Sequence, residues 1–269
     1  MNRRFVEWVV ISDVHLGTLG CHAEELGDYL DSIEPGGLIL NGDIIDIWQF
    51  RKRYFPPSHW RVLSRILEWM QMGVPVYYLT GNHDELLRKL SGLRLSNLHL
   101  QNKLVLELDG KQAWFFHGDI FDVTVQHSKW IARLGGWGYD ALIGINRVVN
   151  LGLVRMGRER ISISKRVKDG VKQAVKFIQD FEQIAADLAI ENGFDYVVCG
   201  HIHQPQIRRV SNENGSVVYL NSGDWVENLT ALEYHEGTWR LYDHLSVWVQ
   251  HERLPETVIE PERFATLPF

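Results

Sequence analysis

The chain has 269 residues, 45% hydrophobic and 23% charged, enough to bury one sizeable core or two small ones with no need of covalent staples. A net charge of -6 argues against a general nucleic-acid binder, and no apolar run approaches the roughly 18 residues a membrane-spanning helix needs. Its two cysteines, Cys21 and Cys199, lie far apart and indicate a reduced, cytoplasmic chain rather than a disulfide scaffold.

The opening "MNRRFVEWVVISDVHL" starts basic, yet Glu7 and an Asp-x-His pair interrupt what would be the apolar core of a signal peptide, so it reads as a first strand. "HAEELGDYLDSI" and "SHWRVLSRILEWMQMG" follow the three-and-four spacing of amphipathic helices, the second with Ser58 as a candidate cap and Gly73 as its stop. Around them, "GGLILNGDIIDIW", "PVYYLTGNHD" and "QAWFFHGDIFD" are apolar runs that break at Gly, Asn, Asp or His, as strands feeding functional loops do. Strand, helix, strand, helix, strand predicts a largely buried sheet covered by helices, its polar strand ends gathered on one rim.

From His127 to about Asn192 no comparable strand signal occurs. The first part is apolar with scattered Arg, and "SKRVKDGVKQAVKFIQDFEQIAADLAIENG" reads as a long amphipathic helix, so a helical insertion between two core strands is expected. Between Lys129 and Lys176, eleven Lys/Arg face three acids; this local +8 leaves about -14 for the remainder and marks the stretch as a surface of its own. "YVVCGHIHQP" restores the strand pattern. "IRRVSNENGSVVYLNSGDW" and "TALEYHEGTWRLYDH" then read as antiparallel strands turning at Asn214-Gly215 and Glu236-Gly237. The expected organisation is a core over 1–250, interrupted by the insertion at 127–192, followed by a proline-punctuated tail at 251–269.

Five strand ends carry Asp13-x-His15, Gly42-Asp43, Gly81-Asn82-His83-Asp84, His117-Gly118-Asp119 and Gly200-His201-x-His203. Singly, Asp13 could cap a helix, Asn82 could fill a turn and His117 could be a satisfied core histidine. Five together, each ending an apolar strand, point to a metal site instead. For His201 and His203, a two-residue spacing in an extended segment puts both rings on one face. Carboxylate, imidazole and amide oxygen form a ligand set of intermediate hardness, suited to Mn, Fe or Zn. Asp43 is the natural bridge, since one carboxylate can serve two cations about 3.5–4 Å apart, an arrangement that activates water for in-line attack on phosphorus.

The ordered set D-x-H, G-D, G-N-H-D, H-G-D and G-H-x-H, running from Asp13 to His203, resembles the calcineurin-like metallophosphoesterase family. The resemblance implies an α/β fold, a four-layer α/β/β/α sandwich with a helical lid insertion, and two divalent ions, Mn²⁺ first with Fe or Zn as alternatives. It implies that Asp13, His15, Asp43 and His203 hold one metal and Asp43, Asn82, His117 and His201 the other. It further implies that His83 stabilises the transition state or protonates the leaving oxygen, that Asp84 orients His83, and that a metal-bridging water attacks.

Within that family the chain is most similar to the UDP-2,3-diacylglucosamine hydrolases of lipid A synthesis, in "ISDVHLG", the "HGD" strand and an insertion of about 80 residues before "GHIHQP". That group implies a pyrophosphatase releasing UMP, a lipid-linked or nucleotide diphosphate substrate, no nucleic-acid partner, and a lid that takes acyl chains. Trp130, Ile131, Leu134 and Trp137, interleaved with basic residues, suit a lid that meets a membrane surface, which places the protein in the cytoplasm and peripherally on the inner face of the inner membrane. The alternative is that the same residues pack a lid onto the core.

One departure stands out: those hydrolases commonly carry Arg after the metal-binding Asn, where this chain has His83, as generic phosphoesterases do. A phosphodiesterase or phosphomonoesterase of other or broad specificity is therefore the alternative; a non-catalytic scaffold predicts missing ligands, and all seven positions are filled. Candidate substrate contacts are Asp122 and the lid cations Arg158, Arg160, Lys165, Arg166 and Lys168, while Asp46 and Asp119 are candidates to support the ligands. Asn221, Ser222, Gly223 and Asp224 either line a phosphate pocket or form a tight turn.

Overall fold

The computed structural model describes residues 3–46, 54–124 and 163–246, and within them every side chain except those of 122–124 and 163–175. The first sheet is built from β1 (Arg4–Ile11), β2 (Ile33–Asn41), β3 (Val76–Leu79), β4 (Arg94–Leu95), β5 (Leu98–Gln101), β11 (Thr230–His235) and β12 (Thr238–Asp243), in the order β12-β11-β1-β2-β3-β5-β4. The second contains β6 (Lys103–Leu108), β7 (Lys111–Phe116), β8 (Tyr196–Cys199), β9 (Gln206–Asn212) and β10 (Gly215–Asn221), in the order β6-β7-β8-β10-β9. Each sheet has a parallel centre, β1, β2, β3 and β5 in one and β7, β8 and β10 in the other, flanked by antiparallel strands.

Alternation along these central strands explains the layering. In β1, Val9 and Ile11 face the helices α1 (Ala23–Asp31) and α2 (Pro57–Gln71), while Val10 faces the other sheet; in β2, Leu38 and Leu40 point one way and Ile39 the other. In β8, Val197 and Cys199 pack towards α3 (Ile163–Glu191), and Tyr196 and Val198 into the space between the sheets. Strands buried on both faces read as continuous apolar runs, which is why they were conspicuous in the sequence. The three clusters, helices on sheet, sheet on sheet and sheet on helix, are the four layers α/β/β/α.

Phe181, Ala185, Ala186 and Ala189 of α3 are fully buried against the second sheet, so this end of the expected insertion forms the outer layer of the sandwich. The remainder of the expected lid, 127–162, and the tail at 251–269 lie outside the described residues. No helix among the described residues is long and apolar enough to cross a membrane.

Some local expectations shift. Ser58 does not cap α2: Pro56 is the N-cap, Pro57 follows, and no side chain bonds the free N–H groups, since proline's fixed φ already starts the helix. Gly73, at φ +90°, does end α2. The β9–β10 turn is Glu213-Asn214 rather than Asn214-Gly215, because Asn212 pairs with Gly215 and its Oδ1 accepts from both Asn214 N and Gly215 N. Glu236-Gly237 forms its hairpin as expected.

Candidate metal centre

The parallel strands of both sheets end on one rim, and backbone hydrogen bonds hold the loops that leave them. Asp13 N donates to Gly42 O, while Val14 N and His15 N both donate to Asp43 O, each at 3.0 Å, so the loops after β1 and β2 advance together. From the second sheet β7 delivers His117 and β8 delivers His201 and His203, with Gly200 N donating to His117 O at 3.0 Å. The glycines of these motifs mark where one loop's ligand fits against the next: a Cβ at Gly81 would overlap Asp43 Oδ1, and one at Gly42 would overlap the His117 ring.

Asp13, His15, Asp43, His201 and His203 all have left-handed backbone, with φ between 52° and 68°. That conformation costs a non-glycine residue on the order of 1 kcal/mol, and such strain concentrates at functional sites. It also corrects the same-face expectation for His201 and His203. β8 stops at Cys199, and the two histidines lie beyond it on left-handed backbone and diverge. His201 meets the His117 ring at 5.1 Å between centroids, whereas His203 Nε2 lies 3.1 Å from Asp13 Oδ1.

Three sets of ligand atoms converge, each within 4.8 Å of one another: Asp13, His15 and His203; His15, Asp43 and His83; and Asp43, His117 and His201. Asp43 and His15 each belong to two sets, and of the two the carboxylate has two oxygens to offer two cations. Asn82 stands in the turn whose N–H groups bind the site on either side, Gly81 N to Asp84 Oδ1 at 2.5 Å and His83 N to Asp43 Oδ1 at 2.8 Å.

The donor set fits divalent cations on its own chemistry. His117 Nδ1 is 2.8 Å from Asn41 O, to which it donates, leaving Nε2 towards Asp43 Oδ2 at 3.3 Å. That fixed tautomer is the usual preparation of a ligating imidazole. His117 Nε2 and Asp13 Oδ1 are buried without a hydrogen bond, two atoms that cations would satisfy, one in each of two ligand sets.

The electrostatics agree. Burial would push the Asp13 carboxyl up, but His203 and His117 pull it down to about 2; Asp43 is likewise held low against burial, chiefly by His117. His203, which burial alone would lower, is raised to about 9 by Asp13 and then Asp224. His117 is raised well above its ordinary value by Asp43 and Asp13 against complete burial. The carboxylates thus draw positive charge into a buried cleft, from protons where no cation is bound.

The expected orienting partner of His83 is not Asp84. Asp84 is fully buried and takes Gly81 N, Ile44 N and the Tyr78 hydroxyl, at 2.5, 3.1 and 2.6 Å, thereby pinning the 81–84 turn to the loop after β2. His83 pairs instead with Asp46, Nδ1 to Oδ2 at 2.8 Å, and the same oxygen lies 3.3 Å from His15 Nδ1. Burial would lower His83, yet the Asp46 hydrogen bond and then the charge of Asp43 raise it.

Asn221, Ser222 and Asp224 are buried braces rather than open pocket. Asn221 Nδ2 donates to Gly200 O at 2.9 Å, Ser222 Oγ meets Ser12 Oγ at 2.7 Å, and Asp224 Oδ2 lies 3.7 Å from His203 Nδ1. Tyr78, Asn41 and Ser12 were not anticipated; only their position at or beside strand ends could have signalled them. Asp119 pairs with Arg88. Asp122 falls in a 3₁₀ helix, Asp119–Thr124, with its side chain outside the described residues, as are the side chains of Lys165, Arg166 and Lys168; Arg158 and Arg160 lie wholly outside.

Comparison with known proteins shows the family. The sequence model of the calcineurin-like phosphoesterase family matches residues 8–205. A UDP-2,3-diacylglucosamine hydrolase of Photorhabdus laumondii is 27% identical over 208 residues, covering 72% of this chain and 80% of its own. That of Aeromonas hydrophila is 27% identical over 243 residues, covering 87% and 97%. Among solved structures, an archaeal phosphodiesterase is similar at 13% identity and a TM-score of 0.43, covering 88% of this chain and 98% of its own.

Proposed function

The chain belongs to the calcineurin-like phosphoesterase family, and from that premise we propose that it is a pyrophosphatase of the UDP-2,3-diacylglucosamine type, hydrolysing the diphosphate to release UMP. The observation that carries the hydrolytic chemistry is Asp43 standing between two ligand sets, with the His83–Asp46 pair beside it. Asp13, His15, Asp43 and His203 would hold one divalent cation, and Asp43, Asn82, His117 and His201 the other, with Mn²⁺ the first candidate. Two such ions, when bound, acidify water and neutralise charge on a phosphoryl group under in-line displacement.

The protein's own contribution is placement and a proton. Asn41 and Asp46 fix the tautomers of His117, His15 and His83 through Nδ1, so that each ring presents Nε2. As the P–O bond to the leaving group breaks, the raised His83 gives its Nε2 proton to the departing oxygen, and Asp46 stabilises the ring while it is charged. The substrate reading draws on the names of the relatives and on their coverage of most of the chain. Purified protein with Mn²⁺ is expected to release UMP from UDP-2,3-diacylglucosamine.

The His83–Asp46 pair also favours a second reading, a phosphodiesterase or phosphomonoesterase of other specificity, because a charged ring suits protonation of an alkoxide better than a grip on a diphosphate. Robust hydrolysis of simple diesters without UMP release would decide for it.

A further inference from the structure

Residues 86–95 form a built, exposed edge beside the metal rim. The segment begins two residues after Asp84, runs through the 3₁₀ helix Glu85–Leu90, and ends in β4 at the edge of the first sheet. Its backbone is fixed: Gly92 N donates to Leu100 O at 2.8 Å, Leu100 N to Leu93 O at 2.9 Å, and Leu93 N to Leu90 O at 3.0 Å, while Leu87 packs into the core. Despite that anchoring, Leu86, Leu90, Leu93 and Leu95 are 52%, 50%, 41% and 55% exposed, four of the fourteen large apolar side chains exposed among the described residues, gathered in ten positions. Scattered exposed leucines need no explanation, but four within ten residues of fixed backbone do.

The charges along the segment are mostly positive. From 85 to 103 the chain carries Arg88, Lys89, Arg94 and Lys103 against Glu85 alone, in a protein whose net charge is -6. Arg88 is engaged by Asp119; Arg94 and Lys103 line a cavity of about 400 Å³ bounded by residues 91–94 and 100–103. We infer that this edge is a docking surface for an anionic lipid bilayer, with the leucines entering the headgroup boundary and Lys89, Arg94 and Lys103 meeting lipid phosphates. Leucine alternating with cations is the composition of interface-lying elements. A protein partner would be met by aromatic anchors instead, leucine being under-represented among hot spots. The surface deepens the proposed reading, since a lipid-linked substrate has to be reached at a bilayer from the rim that carries His83.

The test is co-sedimentation of the full chain with phosphatidylcholine vesicles, with and without phosphatidylglycerol, alongside hydrolysis of soluble bis(p-nitrophenyl) phosphate with Mn²⁺. Wild type is expected to bind the anionic vesicles, and both Leu90→Asn/Leu93→Ser/Leu95→Asn and Lys89→Glu/Arg94→Glu are expected to weaken that binding about tenfold or more while soluble turnover holds. Equal binding by wild type and both variants overturns the inference, because contact then runs through another surface. Absence of wild-type binding, or self-association that the leucine variant abolishes, overturns it as well. Vesicle binding needs no UDP-lipid, so failure of the substrate reading leaves it standing, and the reverse also holds.

Discussion

Asp46→Asn separates the two roles that one buried carboxylate holds. Asp46 is 1% exposed, and its Oδ2 faces His83 Nδ1 at 2.8 Å and His15 Nδ1 at 3.3 Å. A hydrogen bond to a charged group is worth roughly 1.5–3 kcal/mol, which sets a loss of about 10- to 100-fold in any step that needs His83 charged. That hydrogen bond is the leading influence raising His83 against burial, so its removal lowers the ring's pKa and moves the alkaline limb of the kcat profile to lower pH. The assay compares a p-nitrophenyl diester, whose leaving group needs no proton, with an alkyl diester, whose leaving group does, at matched metal content. The alkyl ester should lose about 10- to 100-fold and the activated ester only a few-fold. Equal losses at full metal occupancy would falsify the assignment of His83–Asp46 as the proton donor; equal losses with metal depleted would trace the effect to His15.

Asp43→Asn should lower bound metal and reduce turnover by at least about a thousandfold on both esters, since it belongs to two ligand sets; substantial residual activity with two metals retained counts against a bridging role. The pairing of His203 with Asp13 in chelator-treated protein has a defined window: with His203 raised from 6.5 to about 9, its contribution is fully present below pH 6.5 and disappears as pH rises through about 9. Thermal melts of the metal-free form should fall across that range while those of the Mn²⁺-loaded form do not, and a flat metal-free profile contradicts the coupling. Gly81→Ala should impair metal retention, its Cβ overlapping Asp43, whereas Gly73→Ala, with open space around it and φ +90°, should cost only about 1 kcal/mol of stability and leave turnover intact.

Much of this architecture was legible because both sheets bury the faces of their central strands. A strand such as "YVVC" is continuous apolar sequence, and its end is the first polar residue, so the ligand-bearing loops announce themselves. Less legible were elements whose pairing, not composition, makes them strands. Ile33–Asn41 begins with Ile-Glu-Pro-Gly-Gly, which reads as a break, yet it pairs in parallel with β1 from Arg4 to Ile11. The β6–β7 hairpin is signalled in sequence by little more than Asp109-Gly110, both with the positive φ its turn type requires. α3 reads as one amphipathic helix throughout, and only packing shows that Phe181 and Ala185 belong to the sandwich.

Adjacency in sequence misled at Asp84 for a reason that holds at the end of β8 too. Side chains on neighbouring residues of a turn point apart, so the carboxylate that reaches His83 comes from the loop after β2, three residues beyond Asp43, while Asp84 turns inward to Ile44 N and Tyr78. The two-residue spacing H-x-H follows the same logic. In a strand it would give one face and a single centre. With left-handed backbone at Asp13, His15, His201 and His203, the last two fan out to different ligand sets, whereas Asp13 and His15 meet in one set with His203. The strain is therefore part of what makes room for two centres, and glycine in its place would relieve it only by removing the side chain the position exists to carry.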